Sequence, residues 1–178
     1  MEQLIMRWNN DGNGVNLPKV PENCRIVSFC ELDNAMDKWL EIVQYGLSKG
    51  RMGEKYYHDT MTSLQLYRDD KCFFILEGER AVATLTVVCD YETKEGYIHM
   101  VACHENFRGK GYGTLLNRVA EYTLKKEGMQ TAYLTTDDWR IPAIKSYLRI
   151  GFYPDLSTED FCDRWKKIYA EIGRKYEF

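Results

Sequence analysis

The sequence has no apolar run long enough to cross a membrane, no internal repeat and no low-complexity tract. It also lacks a basic excess. Lys and Arg number 24 against 27 Asp and Glu, and the two signs are mixed along the chain. A phosphate backbone demands a clear positive surplus, so nucleic acid is not an expected partner, and neither is a membrane. No C-x-x-C pair occurs among Cys24, Cys30, Cys72, Cys89, Cys103 and Cys162, and none of the three histidines stands at ligand spacing. No metal site is therefore expected. The opening MEQLIMRWNNDG has no apolar centre of a secretory signal, so the reducing cytoplasm is the expected location.

What is present is an ordinary globular composition, 44% hydrophobic and 29% charged over 178 residues. That suffices for one domain with a real core and is short for two. The expected organisation is a single domain over 1–178, with 1–23 as an N-terminal extension. In that extension 4–8 reads as a short strand and 9–23, rich in Asn, Gly and Pro, as a loop. CRIVSF at 24–29 alternates like a strand. Met36, Trp39, Leu40, Val43 and Leu47 form a helical stripe over 31–47, closed by Gly50, and a second helix is predicted over 54–67.

Then the period shortens. Residues 72–76 and 81–89 read as a hairpin, and 97–103 (YIHMVAC) as a third strand. A glycine-rich loop enters a helix carrying Tyr112, Leu115, Leu116, Val119, Ala120 and Leu124 on one face and ending at Gly128. A strand at 131–136 and helices at 142–150 and 157–174 complete the chain, the last opening on a capping-box pattern from Ser157 to Asp160. The order predicts a mixed α/β layer fold.

The loop reads FRGKGYGTLL, three glycines in five residues at a helix start. Free backbone N–H groups and the helix dipole favour an anion there, glycine admits a close approach, and Arg108 and Lys110 add positive charge. A dinucleotide fingerprint fails, because Thr114 or Leu116 stands where its third glycine belongs. A Walker loop fails because Gly111 follows Lys110. R-x-x-G-x-G fits at Arg108, Gly111 and Gly113. This resembles the acetyl-CoA pyrophosphate loop of the GNAT superfamily of N-acetyltransferases. The stretch AIKSYLRIGF at 143–152 also resembles that family's A-I-x-x-Y-x-x-x-G-F helix.

The resemblance covers about residues 24–152 and implies the acyl-CoA N-acyltransferase fold, a mostly antiparallel sheet flanked by helices. It implies acetyl-CoA as co-substrate, with the backbone of Val101, Ala102 and Cys103 along the pantetheine arm. Arg108, Gly109, Lys110, Gly111, Tyr112, Gly113 and Thr114 would lie at the pyrophosphate. Tyr147 stands where the family keeps the tyrosine that protonates the departing sulfur; a core-packing role is the alternative. Strict alternation places Tyr97, His99, Val101 and Cys103 on one face of their strand. His99, with a pKa near neutrality, is the candidate base, directly or through water; a structural histidine is the alternative.

Two departures stand out. Arg140 replaces the family's frequent Asn, which leaves a phosphate contact as its role toward the cofactor. A helix at 157–174 also stands where a final strand is common, so the final strand is absent or the run at 4–8 does related work. The acceptor is expected to be the primary amine of a small molecule, amino acid or peptide, and self-association into a homodimer is left open. A non-catalytic acyl-CoA-binding module on the same fold is the rival reading.

Overall fold

The computed structural model describes residues 2–48, 50 and 52–176. Its strands are β1 (Leu4–Asn9), β2 (Cys24–Ser28), β3 (Cys72–Glu77), β4 (Arg80–Asp90), β5 (Glu95–Cys103), β6 (Thr131–Thr136) and β7 (Tyr153–Pro154). The helices are α1 (Ala35–Val43), α2 (Glu54–Tyr57), α3 (Tyr112–Lys126), α4 (Ile141–Arg149) and α5 (Glu159–Glu171). All seven strands join one sheet in the order β2-β3-β4-β5-β6-β1-β7. Only β5 with β6 is parallel, and the other pairings are antiparallel.

The alternating strands bury both faces. On one, Leu85, Val87, Ile98 and Leu134 pack with Leu116 and Leu124 of α3, Ile144 of α4 and Trp165 of α5. On the other, Phe74 and Leu76 pack with Trp39 and Ile42 of α1 and with Met61. Helix α3 lies so close to the sheet that a Cβ at Gly96 would stand 2.2 Å from a methyl carbon of Leu124. Any side chain at 96 would have to push the buried Leu124 side chain aside, which favours glycine there.

The N-terminal run is an interior strand. β1 pairs along its whole length with β6, from Leu4 opposite Thr136 to Asn9 opposite Thr131, and β7 pairs with its other edge. Leu4, Met6 and Trp8 are buried in the α3-side core. Within the stretch 1–23, the strand expected at 4–8 thus lies in the sheet beside β6, and the short β7 follows it.

Helix lengths differ from expectation in three places. α1 ends at Val43, seven residues before Gly50, because the chain turns at Gly46, whose φ of +120° only glycine adopts readily. The second helix holds α geometry only over Glu54–Tyr57 and then widens into a π-helical turn, His58–Thr62. At the C-terminal helix the cap is Thr158, whose hydroxyl accepts from the Phe161 amide, in place of Ser157.

β5 also departs from strict alternation. Cys103 pairs with Ala83 and Ala102 with Thr84, yet His99 pairs with Thr86, so β5 carries one extra residue. Met100 absorbs it at φ +55°, as a bulge does. Val101 and Cys103 consequently pack toward the α3-side core, while His99 reaches Thr60 on the α1-side face. The expectation that all four share a face is corrected: the bulge separates His99 from Val101 and Cys103.

Candidate active site

Gly109 and Gly111 take φ of +81° and +85° at the entrance to α3, a conformation that costs a side-chain-bearing residue roughly 1–2 kcal/mol. A Cβ at either would meet nothing within 4 Å, so conformation and not crowding demands glycine. Among the described residues, the N–H groups of 109–114 meet no protein acceptor; the first bonded amide is Leu115, at 3.0 Å from the Gly111 carbonyl. The first turn of α3 holds no acidic side chain. Six consecutive free amides at a positive helix end form a site for an anion.

The side chains of the loop are turned elsewhere. Tyr112 is buried, its hydroxyl 3.5 Å from the Cys24 thiol. Lys110 sits 3.0 Å from both oxygens of Glu77. Thr114 and Ser146 share a hydroxyl–hydroxyl bond of 3.2 Å, and Asn117 donates to the same Ser146 oxygen at 2.9 Å, tying α3 to α4. Arg108 donates to the carbonyls of Cys103 (3.4 Å) and Tyr45. Arg140 donates to the Gly46 carbonyl at 2.6 Å and to Asp137 at 3.1 Å.

Beside the loop the sheet opens. The parallel ladder between β5 and β6 runs from Glu95 opposite Thr131 to Ile98 opposite Leu134 and stops. Ala102 and Cys103 continue to pair with β4, and among the described residues β6 makes no ladder with 101–103. An extended peptide-like ligand can add to an unpaired strand edge. Tyr147 of α4 packs into the α3-side core. Burial pushes its pKa up to about 12, opposed by the charge of Arg140. Its hydroxyl forms no hydrogen bond among the described residues.

His99 lies on the sheet's other face. Its Nε2 is 3.2 Å from the Thr60 carbonyl and its Nδ1 is 3.1 Å from the Tyr97 hydroxyl. A carbonyl only accepts, so Nε2 carries the hydrogen, and in the neutral ring Nδ1 accepts from the tyrosine O–H. Burial lowers the histidine pKa, with the Thr60 bond opposing, which keeps the ring neutral at pH 7. Tyr97 in turn stacks on Tyr133 at 4.7 Å. Both tyrosines line a cavity of about 240 Å³ whose other walls include Leu64, Leu66, Val88, Asp90 and Glu95.

Spacing alone misses three parts of this arrangement: the Tyr97 hydroxyl on His99, the Thr60 carbonyl, and the turn of both arginines onto the segment after α1. The Tyr-x-His pair on one strand face was a readable signal for the first. The other two depend on contacts between distant segments. All six cysteines are free thiols, with Cys72 and Cys89 buried and Cys30 exposed. Among the described residues, no group of three or more His, Cys, Asp or Glu is placed to hold a metal. No described helix is long and apolar enough to cross a membrane.

The family profile described as "Acetyltransferase (GNAT) family" matches residues 35–152. N-alpha-acetyltransferase 30 of Xenopus laevis is 32% identical over 87 residues, 47% of this chain and 32% of that protein. Its counterpart from Schizosaccharomyces pombe is 29% identical over 102 residues, 54% of this chain and 60% of that protein. The matches therefore span about one third and three fifths of those relatives, under two thirds in both. Among solved structures, a GCN5-related N-acetyltransferase from Sphaerobacter thermophilus superposes with TM-score 0.68 at 17% identity, over 86% of this chain and 48% of that one. The ribosomal-protein-S18-alanine N-acetyltransferase from Escherichia coli gives TM-score 0.59 at 19% identity, over 73% and 77%. At these identities the structural matches establish the fold.

Proposed function

The chain belongs to the acetyltransferase (GNAT) family, and on that premise we propose that it moves an acetyl group from acetyl-CoA to the α-amine of a polypeptide. The observation that carries the donor half is the run of six unpartnered amides at 109–114 beside the edge of 101–103 with which β6 makes no ladder. The amides would hold the pyrophosphate and the edge would hold the pantetheine arm. Acetyl-CoA supplies an activated acyl group as a thioester. Support for the acceptor class comes from the relatives, two of them named for α-amine acetylation.

The two faces of the sheet divide the chemistry. An amine attacks only when neutral, and an α-amine of pKa about 8 is largely protonated at pH 7. Entering by the cavity on the α1 side, it meets the Tyr97 hydroxyl. That oxygen takes the amine proton while its own proton passes to His99 Nδ1, and the Thr60 carbonyl holds the imidazole in the receptive tautomer. Tyr147 meets the departing sulfur from the opposite face. With its pKa near 12 against about 8.5 for a thiol, it donates a hydrogen bond to the thiolate more readily than a whole proton.

An amine panel tests this reading. Purified protein is given acetyl-CoA with short peptides bearing free or blocked N-termini, and with small amines, and free CoA is measured. Release driven by free-N-terminus peptides is expected. Release only with small amines moves the acceptor class, and tight acetyl-CoA binding without release for any amine marks a non-catalytic module.

A further inference from the structure

The two arginines that the sequence assigns to the cofactor both grip the chain just beyond α1. Arg108 follows β5 and donates to the Tyr45 carbonyl; Arg140 follows β6 and donates to the Gly46 carbonyl at 2.6 Å. These are the two strands that part beyond Ile98 and Leu134. The segment at 45–46 therefore bridges the mouth of the gap, held from both walls. Gly46 permits the turn with its φ of +120°, and the Tyr45 ring packs 4.3 Å from that of His104. Both acceptor carbonyls lie past Val43, where the last carbonyls of α1, those of Ile42 and Val43, already accept from the amides of Tyr45, Leu47 and Ser48. Each guanidinium has a second protein partner, Cys103 or Asp137, while the amides at 109–114 remain free for an anion.

We propose that Arg108 and Arg140 are positioning residues that clasp the end of α1 over the gap and so set the acceptor-side wall, leaving the phosphates to the backbone of 109–114. The kinetic part rests on the acetyl-transfer reading above; the clasp itself does not. Three measurements on Arg108→Gln and Arg140→Gln test it. The first is amide exchange at Tyr45, Leu47 and Ser48, whose N–H groups bond to Ile42 and Val43 carbonyls. The second is the dissociation constant of acetyl-CoA. The third is steady-state transfer to a free-N-terminus peptide, with acetyl-CoA and then with acetyl-pantetheine, which has no phosphate ester.

The clasp predicts exchange at least about tenfold faster in each variant, the loss of one charge-assisted hydrogen bond. It predicts a peptide KM raised about tenfold with either donor, and acetyl-CoA affinity within about threefold of wild type. Arg140→Lys, keeping one charged donor, recovers part of the KM. Unchanged exchange overturns the proposal. So does a tenfold or larger loss of acetyl-CoA affinity with wild-type kinetics on acetyl-pantetheine, since that pattern assigns the guanidinium groups to phosphate. If wild type transfers nothing to any amine, the functional reading fails, while exchange and affinity still decide the clasp.

Discussion

On the proposed reading Tyr97 and His99, hydrogen-bonded to each other, share one proton path, so their substitutions are not independent. Tyr97→Phe and His99→Gln are each expected to lower kcat about 100-fold, the low end for acid–base assistance. The double variant should lose little more, because either change interrupts the same path. Losses that multiply in the double variant would show separate roles. The pH profile adds a second check. The His99 pKa lies below its ordinary 6.5, so in wild type the α-amine sets the rise in kcat/KM toward pH 8, and histidine protonation removes activity only below pH 6.5. His99→Gln should abolish that lower limb. The stability linked to neutral His99 follows the same sign: it is fully present above pH 6.5 and is lost as pH falls through the lower folded value. At Tyr147, phenylalanine should leave acetyl-CoA affinity unchanged and lower kcat by about 100-fold. Calorimetry with kinetics separates this from a core-packing tyrosine, whose loss lowers stability and spares kcat.

Most elements were legible because their side chains repeat with their own geometry: the 3.6-residue stripe of α3 and the apolar runs of β3, β4 and β6. What was not legible depended on partners distant in sequence. The extra residue in β5 shows only in its register with β4, and the π-helical turn shows only where Thr60 meets His99. β1 reads locally as a strand, but nothing local says that it lies inside the sheet. Because Met6 is fully buried there, Met6→Ala should cost about 2–5 kcal/mol in urea unfolding. A peripheral segment would lose under about 0.5 kcal/mol. At α5, Arg164 is buried and bonded to Asp138, after β6, and to Asp160. Asp138→Ala should cost about 1–2 kcal/mol, discounted because the Asp138 carboxylate is over one third exposed. The arginine holds the Asp138 pKa below its ordinary value. In wild type that contribution is present above about pH 4 and is lost as pH falls through the folded value, a dependence the variant should lack.

At the scale of the molecule, the sheet is a partition with an opening. The end of β5 that makes no ladder with β6 and the amides before α3 offer a donor slot. On the proposed reading Tyr147, in the α3-side core, serves the departing sulfur, and the Tyr97–His99 pair beside its tyrosine-lined cavity serves the amine. The proposed function takes the transfer to be direct attack of the amine on the thioester, with no acyl group parked on the protein. The proposed donor half was readable from one loop, whereas the proposed acceptor half draws on the segment after α1, the π-helical turn and three strands, and no short motif encodes it. The most direct test is a single turnover in which protein loaded with acetyl-CoA is mixed with a free-N-terminus peptide and both masses are followed. The account predicts that the peptide gains one acetyl group on its α-amine while the protein mass stays unchanged throughout. An acetylated protein preceding the acetylated peptide, or no acetyl on any peptide while acetyl-CoA stays bound, would contradict it.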